Sequence, residues 1–116
     1  MSGSERRKYK RRDLIFYSRV SDSRSGRAIG NLLNITPEGA MVLSEKVMEL
    51  QLTLVLRIEL PEGIASKPEL VVTATSLWCQ PDINPEFYDI GFKLTGVSDE
   101  DIRIIQRMVE EYGFRE

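Results

Sequence analysis

Two short segments carry the residue types best suited to holding an anionic ligand with aromatic bases. Arg6-Arg7-Lys8-Tyr9-Lys10-Arg11-Arg12 packs six cations into seven residues. An arginine fork forms two parallel hydrogen bonds to a phosphate, and its plane stacks on an aromatic ring. Lysine is a point donor and does neither as well. The second segment is Asn34-Ile35-Thr36-Pro37-Glu38-Gly39. Asn34 and Thr36 are two positions apart on a strand, so their side chains share a face. The amide and the hydroxyl both give and accept hydrogen bonds. Gly39 lets a backbone approach a flat ligand with no Cβ in the way. Plainer readings stand beside these: terminal cation runs are often only solvated, and Asn, Thr, Pro and Gly are ordinary turn residues.

The charge balance sharpens the first segment. The chain has 16 Lys+Arg and 18 Asp+Glu, a net of −2. Without residues 1–12 it has 10 basic and 17 acidic residues, a net of −7. The positive potential is therefore local. A general nucleic-acid coater spreads its cations over a folded face. A local cluster fits a small polyanion, or a tail that touches a partner.

Several function classes are disfavoured. At 116 residues the chain fits one domain with one core. No apolar run approaches the roughly 20 residues needed to cross a bilayer, and none resembles a secretory signal. Cys79 is the single cysteine and there is no histidine. Zinc sites and Cys-His nucleophilic catalysis are thereby improbable, and a reducing cytoplasm is the expected location. No Gly-rich phosphate-loop motif is present. No carboxylate pair has a spacing that argues for acid–base work. The reading is a receptor, not an enzyme, with no metal and no cofactor.

The elements that must position these residues are mostly strands. Leu14–Ser21, Ala28–Ile35, Ala40–Leu43, Leu52–Leu60, Leu70–Trp78 and Phe87–Leu94 are rich in β-branched and aromatic residues and alternate in part. Asp22 to Gly26 is a turn signal, and Pro37-Glu38-Gly39 breaks the ladder. Gln80–Glu86, with two prolines, reads as a loop. The period then changes. Ile102, Ile105, Val109 and Tyr112 form the stripe of an amphipathic helix over 99–112. Ser98 is its N-cap, Asp101 completes a capping-box-like pair, and Gly113 is placed as the C′ glycine. Asp99 to Asp101 read as solvent-facing. Trp78 reads as core or barrel rim, and Cys79 as a small packed apolar residue. The pattern predicts a small antiparallel barrel with a helix over one end.

Taken together, Arg6, Arg7 and Arg11 before the first strand and Asn34, Thr36 and Gly39 at the end of the second resemble the PilZ domain family. Its motifs are Arg-Arg-x-x-x-Arg followed by Asp/Asn-x-Ser-x-x-Gly. The likeness extends to the strand spacing, to Tyr88-Asp89-Ile90-Gly91-Phe92 and to the closing helix. It implies a six-stranded antiparallel β-barrel with a C-terminal α-helix that binds cyclic di-GMP. It also implies a flexible basic switch segment over residues 1–12 that folds onto the domain of residues 13–116. Arg6, Arg7 and Arg11 would grip phosphates or guanine edges, while Asn34 and Thr36 would bond a guanine from the barrel side. Thr36 stands where the family has serine, adding a methyl and stiffening χ1. Asn34 replaces a charged acceptor by an amide. The implied partners are cyclic di-GMP and a downstream protein, with no nucleic-acid polymer, no membrane insertion, and a monomer or weak homodimer. Two rival readings remain: a PilZ-like adaptor that binds no nucleotide, and a barrel that holds nucleic-acid phosphates with its basic tail.

Overall fold

Alternation of apolar and polar residues drives the chain into strands that bury one face each. The computed structural model describes residues 18–113. In chain order they form β1 Arg19–Asp22, β2 Ala28–Thr36, β3 Gly39–Ser44, β4 Thr53–Glu59, β5 Glu69–Pro81, β6 Tyr88–Thr95 and α1 Asp99–Tyr112. The strands close into a barrel in the order β1-β2-β3-β6-β5-β4. Every neighbouring pair is antiparallel. Closure removes the unpaired edges that an open sheet would expose. This is the predicted six-stranded barrel with a terminal helix. Residues 14–17 of the predicted first strand lie outside the described residues.

The interior follows the pleat. Leu70, Val72, Ala74 and Ser76 of β5 are buried, while Val71 and Thr73 face water. Leu56, Ile58, Ile90, Phe92 and Leu94 fill the same core. Ser76 is polar yet fully buried. Its hydroxyl donates to the Glu49 carbonyl at 2.6 Å and accepts from the Leu52 amide at 3.0 Å. A buried hydroxyl without such partners would be destabilising, so Ser76 pins the β3–β4 loop in place.

Helix α1 closes one end with Ile104, Ile105 and Met108, all buried in the core. Ser98 is the N-cap as predicted, its hydroxyl accepting from the Asp101 amide at 3.1 Å. Asp101, expected to face water, is buried instead. Its carboxylate accepts from Lys67 Nζ at 2.8 Å, tying the helix to the β4–β5 loop. That hydrogen bond raises the Lys67 pKa above its ordinary value of 10.5, against a smaller desolvation effect. Arg107 adds a second tie, donating to the Ile64 carbonyl at 2.7 Å.

Two boundaries differ from the sequence reading. Strand β5 runs on to Pro81, through part of the predicted loop. Pairing explains this, since Gln80 lies opposite Asp89 and Pro81 opposite Tyr88 on β6. On its other side β5 pairs β4 only as far as Thr75, opposite Thr53. The missing proline N–H therefore costs no ladder bond there. Gly113 does follow the helix, but its φ of −75° and ψ of 142° are extended, not left-handed. Glycine suits this position because a Cβ would run into the Val109 carbonyl.

Candidate functional site

Two β-bulges shape the outer face of β2, β3, β6 and β5. In β2, pairing jumps from Leu32 opposite Val42 to Asn34 opposite Met41. In β5, it jumps from Ser76 opposite Phe92 to Trp78 opposite Gly91. Each bulge inserts one residue and switches which side chains point outward. Leu32 and Ile35, three apart, are thereby both buried. Met41 also lies opposite Gly91. Asn34, Met41, Gly91 and Trp78 thus form one cross-strand row over β2, β3, β6 and β5. At about 4.8 Å per strand the row spans roughly 14 Å. A second row, two residues along, holds Thr36, Gly39, Lys93 and Thr75.

Thr36 organises the turn at the end of this face. Its hydroxyl accepts from the Glu38 amide at 3.2 Å and from the Gly39 amide at 3.1 Å. The hydroxyl hydrogen points toward the Gly39 carbonyl at a long 3.5 Å. The oxygen is occupied while the hydrogen is only weakly held, so the hydroxyl retains donor capacity on the exposed face. Pro37 at the second turn position and Gly39 at the fourth suit a type I turn, and none of Thr36, Pro37, Glu38 or Gly39 has positive φ. A Cβ on Gly39 would lie 3.0 Å from the Phe92 carbonyl. The glycine therefore serves the packing of β3 on β6. Asn34 is half-buried and Thr36 exposed, so the pair forms an outward ledge.

Trp78 is the residue whose position the sequence reading left open between core and rim. The β5 bulge turns it outward, where it is 38% exposed. Its indole covers Gly91, where any Cβ would collide with the ring. Met41 beside it is 5% exposed although it lies on the outer side and outside the core cluster. An aromatic face next to a thioether and an amide is a surface on which a flat base stacks. The signal available in the sequence was the aromatic-glycine strand Tyr88–Phe92. The bulge that brings Trp78 over Gly91 was not legible. Lys93 was also missed. It is exposed, sits beside Gly39 in the second row, and makes no ion pair among the described residues.

Arg6, Arg7 and Arg11 lie outside the described residues. The first described residue, Ser18, is firmly held. Ser18 is fully buried, its hydroxyl donating to the Glu59 carbonyl and its carbonyl accepting from the Leu32 amide at 2.8 Å. Because β1 runs antiparallel to β2, its N-terminal end at Ser18 is directed toward the Asn34–Thr36 end of β2. Arg11 lies seven positions before Ser18. That length reaches at most about 24 Å, enough to cover the ledge. On the far side of the turn, Ile35, Thr36 and Pro37 face Ile105, Gln106 and Val109 of α1 across a cleft of about 240 Å³. The ledge and the helix are therefore mechanical neighbours.

Among the described residues no group of three His, Cys, Asp or Glu side chains is placed to hold a metal. No described helix is long and apolar enough to cross a membrane.

Comparison with known proteins agrees with this geometry. The PilZ domain of YcgR from Escherichia coli, solved with c-di-GMP, superposes with a TM-score of 0.67 at 15% identity, over 92% of this chain and 91% of that one. The longer YcgR chain, also in complex with c-di-GMP, gives a TM-score of 0.69 at 14% identity, over 91% of this chain and 45% of that one. The Bacillus subtilis inhibitor of motility MotI/DgrA gives 0.63 at 18% identity, over 90% of this chain and 50% of that one. The chain thus spans about half the length of these last two proteins. A search of curated proteins by sequence finds no match. These structural likenesses show the fold. The PilZ domain family model matches residues 5–111, from the basic segment through the barrel to the helix, and the chain belongs to that family.

Proposed function

We propose that this chain is a cyclic di-GMP receptor that grips the nucleotide between its N-terminal arginines and the outer face of β2, β3, β6 and β5. The observation that carries the reading is the juxtaposition described above. Strand β1 runs antiparallel to β2, so Ser18, just before it and beside Leu32, is on the side of Asn34 and Thr36, and Arg11 lies seven positions earlier in sequence, within reach of the ledge. Cyclic di-GMP has two phosphates and two guanines. Arg7 and Arg11 pair bidentately with phosphate oxygens or with the O6 and N7 of guanine. Thr36 donates to a guanine or phosphate acceptor while its oxygen keeps the turn. Asn34 bonds the guanine edge, and Trp78 offers its exposed face for stacking. Lys93 adds a point charge on the phosphate side. A ledge made for guanine leaves polar groups unpaired when adenine is offered, which gives selectivity.

Ligand binding orders residues 5–12 against the barrel, a disorder-to-order switch. The bound ligand and its arginine flap, next to the α1 cleft, then form a surface for a protein partner. The chemistry is that of binding, without a catalytic step. Backbone and indole NMR of the whole chain, with and without cyclic di-GMP, tests the arrangement. Resonances of residues 5–12, Asn34, Thr36 and the Trp78 indole should move together. Shifts confined to another face, or none at saturating ligand, would overturn it.

A further inference from the structure

The end of the barrel opposite α1 is open. A cavity of about 610 Å³ lies there between the β1–β2 hairpin and the β3–β4 loop. That is the size of an ordinary small-molecule site. Its well is apolar. Ile29, Met48 and Leu54 pack on the core yet remain partly uncovered. Leu52 and Val47 line it as well, 37% and 67% exposed. At the α1 end, by contrast, Ile35, Leu60, Leu70 and Leu94 are all buried. Of the two barrel ends, this one leaves its apolar lining uncovered. The loop that walls it is held in shape, because Ser76 bonds both Glu49 and Leu52 and Gln51 adopts φ 61°. The well is therefore preformed.

The charges around it have a sign. Arg19, Arg27 and Lys46 line the cavity, against the carboxylates Asp22 and Glu45. None of the three cations makes an ion pair among the described residues. Asp22 already accepts from the Arg24 amide at 2.9 Å, which holds its carboxyl below the ordinary value. Three cations against two carboxylates leave one positive charge unmatched, beside an uncovered hydrocarbon surface. None of Asn34, Thr36, Gly39, Met41, Gly91 or Trp78 lines this cavity, so it is separate from the nucleotide face.

We infer that this mouth is a second ligand site, taking an amphipathic monoanion of the fatty-acid class: a hydrocarbon tail in the Ile29–Met48–Leu54 well and one carboxylate at Arg19, Arg27 and Lys46. The tail covers the apolar surface that the barrel leaves wet, and the carboxylate meets cations that make no ion pair among the described residues. The inference stands whether or not the chain binds cyclic di-GMP.

Titration of the full chain with decanoate below its micellar range, followed by amide NMR, tests it. Decanol and decylammonium serve as neutral and cationic probes. Decanoate should saturate, with shifts centred on residues 27–31 and 43–54. Decanol should bind roughly tenfold more weakly, and decylammonium more weakly still. Arg27→Gln with Lys46→Gln, both at the surface, should bring decanoate down to the level of decanol. Met48→Trp should fill the well and remove both, with the cyclic di-GMP titration unchanged from that of the parent. Equal binding of the three probes would overturn the inference. So would decanoate binding that survives the charge variant, shifts centred elsewhere, or no saturation.

Discussion

The strands β2, β3, β6 and β5 present two faces that obey different rules. The inner face carries Leu32, Ile35, Val42, Ile90 and Phe92, all buried and all interchangeable in principle with other apolar residues of similar volume. The outer face carries Asn34, Thr36, Met41, Lys93 and Trp78, whose chemistry is specific and whose placement depends on two bulges. The inner face makes the protein fold. The outer face costs some regularity of the ladder to aim particular side chains. Substitutions on the two faces should accordingly separate stability from binding.

The arginines should give the largest separation. Arg7→Ala or Arg11→Ala is expected to weaken cyclic di-GMP binding by about 100-fold or more, since each removes a charge-assisted fork, while apo melting stays nearly unchanged. Calorimetry paired with thermal melting reads both. A large drop in apo stability would place these side chains in the structure of the barrel instead.

Next comes the row over β6. Trp78→Ala should lose one stacking platform, about 1–3 kcal/mol of binding. Gly91→Ala attacks the same surface from below, because the new methyl displaces the indole, and should cost stability as well, about 1–3 kcal/mol. If Gly91→Ala melts like the parent and binds like it, the Trp78–Gly91 stack is not part of the site.

Thr36 sharpens the comparison because it holds the turn and is also proposed to meet the ligand. Thr36→Val removes the acceptor for two turn amides and should cost about 1 kcal/mol of apo stability together with binding. Thr36→Ser keeps the oxygen and drops the methyl, so it should bind at least as tightly as the parent. Clearly weaker binding by the serine variant would show that the methyl makes a favourable contact.

The smallest effect lies away from both faces. Lys67 has its pKa raised by Asp101, so its contribution is fully present below the ordinary value of 10.5 and is lost as pH rises through the higher folded value. Lys67→Met should lower stability at neutral pH by only about 0.5 kcal/mol, because the lysine is partly exposed and screened. The gap between variant and parent should close above pH 10.5. A gap that stays constant with pH would assign the loss to packing rather than charge.

The sequence made the inner face legible and the outer face only in part. Apolar alternation located all six strands, and the Ser98 cap with its apolar stripe located α1. Asn34 and Thr36 were placed correctly on one face because they are two residues apart, a spacing that the bulge at Leu33 precedes and does not disturb. Trp78 was not placed, because an inserted residue at Leu77 reverses the parity that alternation relies on. Asp101 looked solvent-facing because its partner Lys67 lies 34 residues away, beyond any local pattern. The extension of β5 to Pro81 depends on where the neighbouring strand ends, which local pattern does not reveal. Only the absence of β4 alongside permits a proline there.

The central claim is that the arginine segment and the outer face together hold a guanine-specific dianion. Calorimetric titration of the whole chain with cyclic di-GMP, at two salt concentrations and with cyclic di-AMP as the control, tests this most directly. The account predicts saturable binding at micromolar concentration or tighter, selective for guanine, and reporting one or two ligands per chain. Absence of binding by calorimetry and by a second method would contradict it and favour a PilZ adaptor that acts through protein contacts alone. Equal affinity for both dinucleotides with a steep loss in salt would contradict it in the other direction, leaving only phosphate attraction.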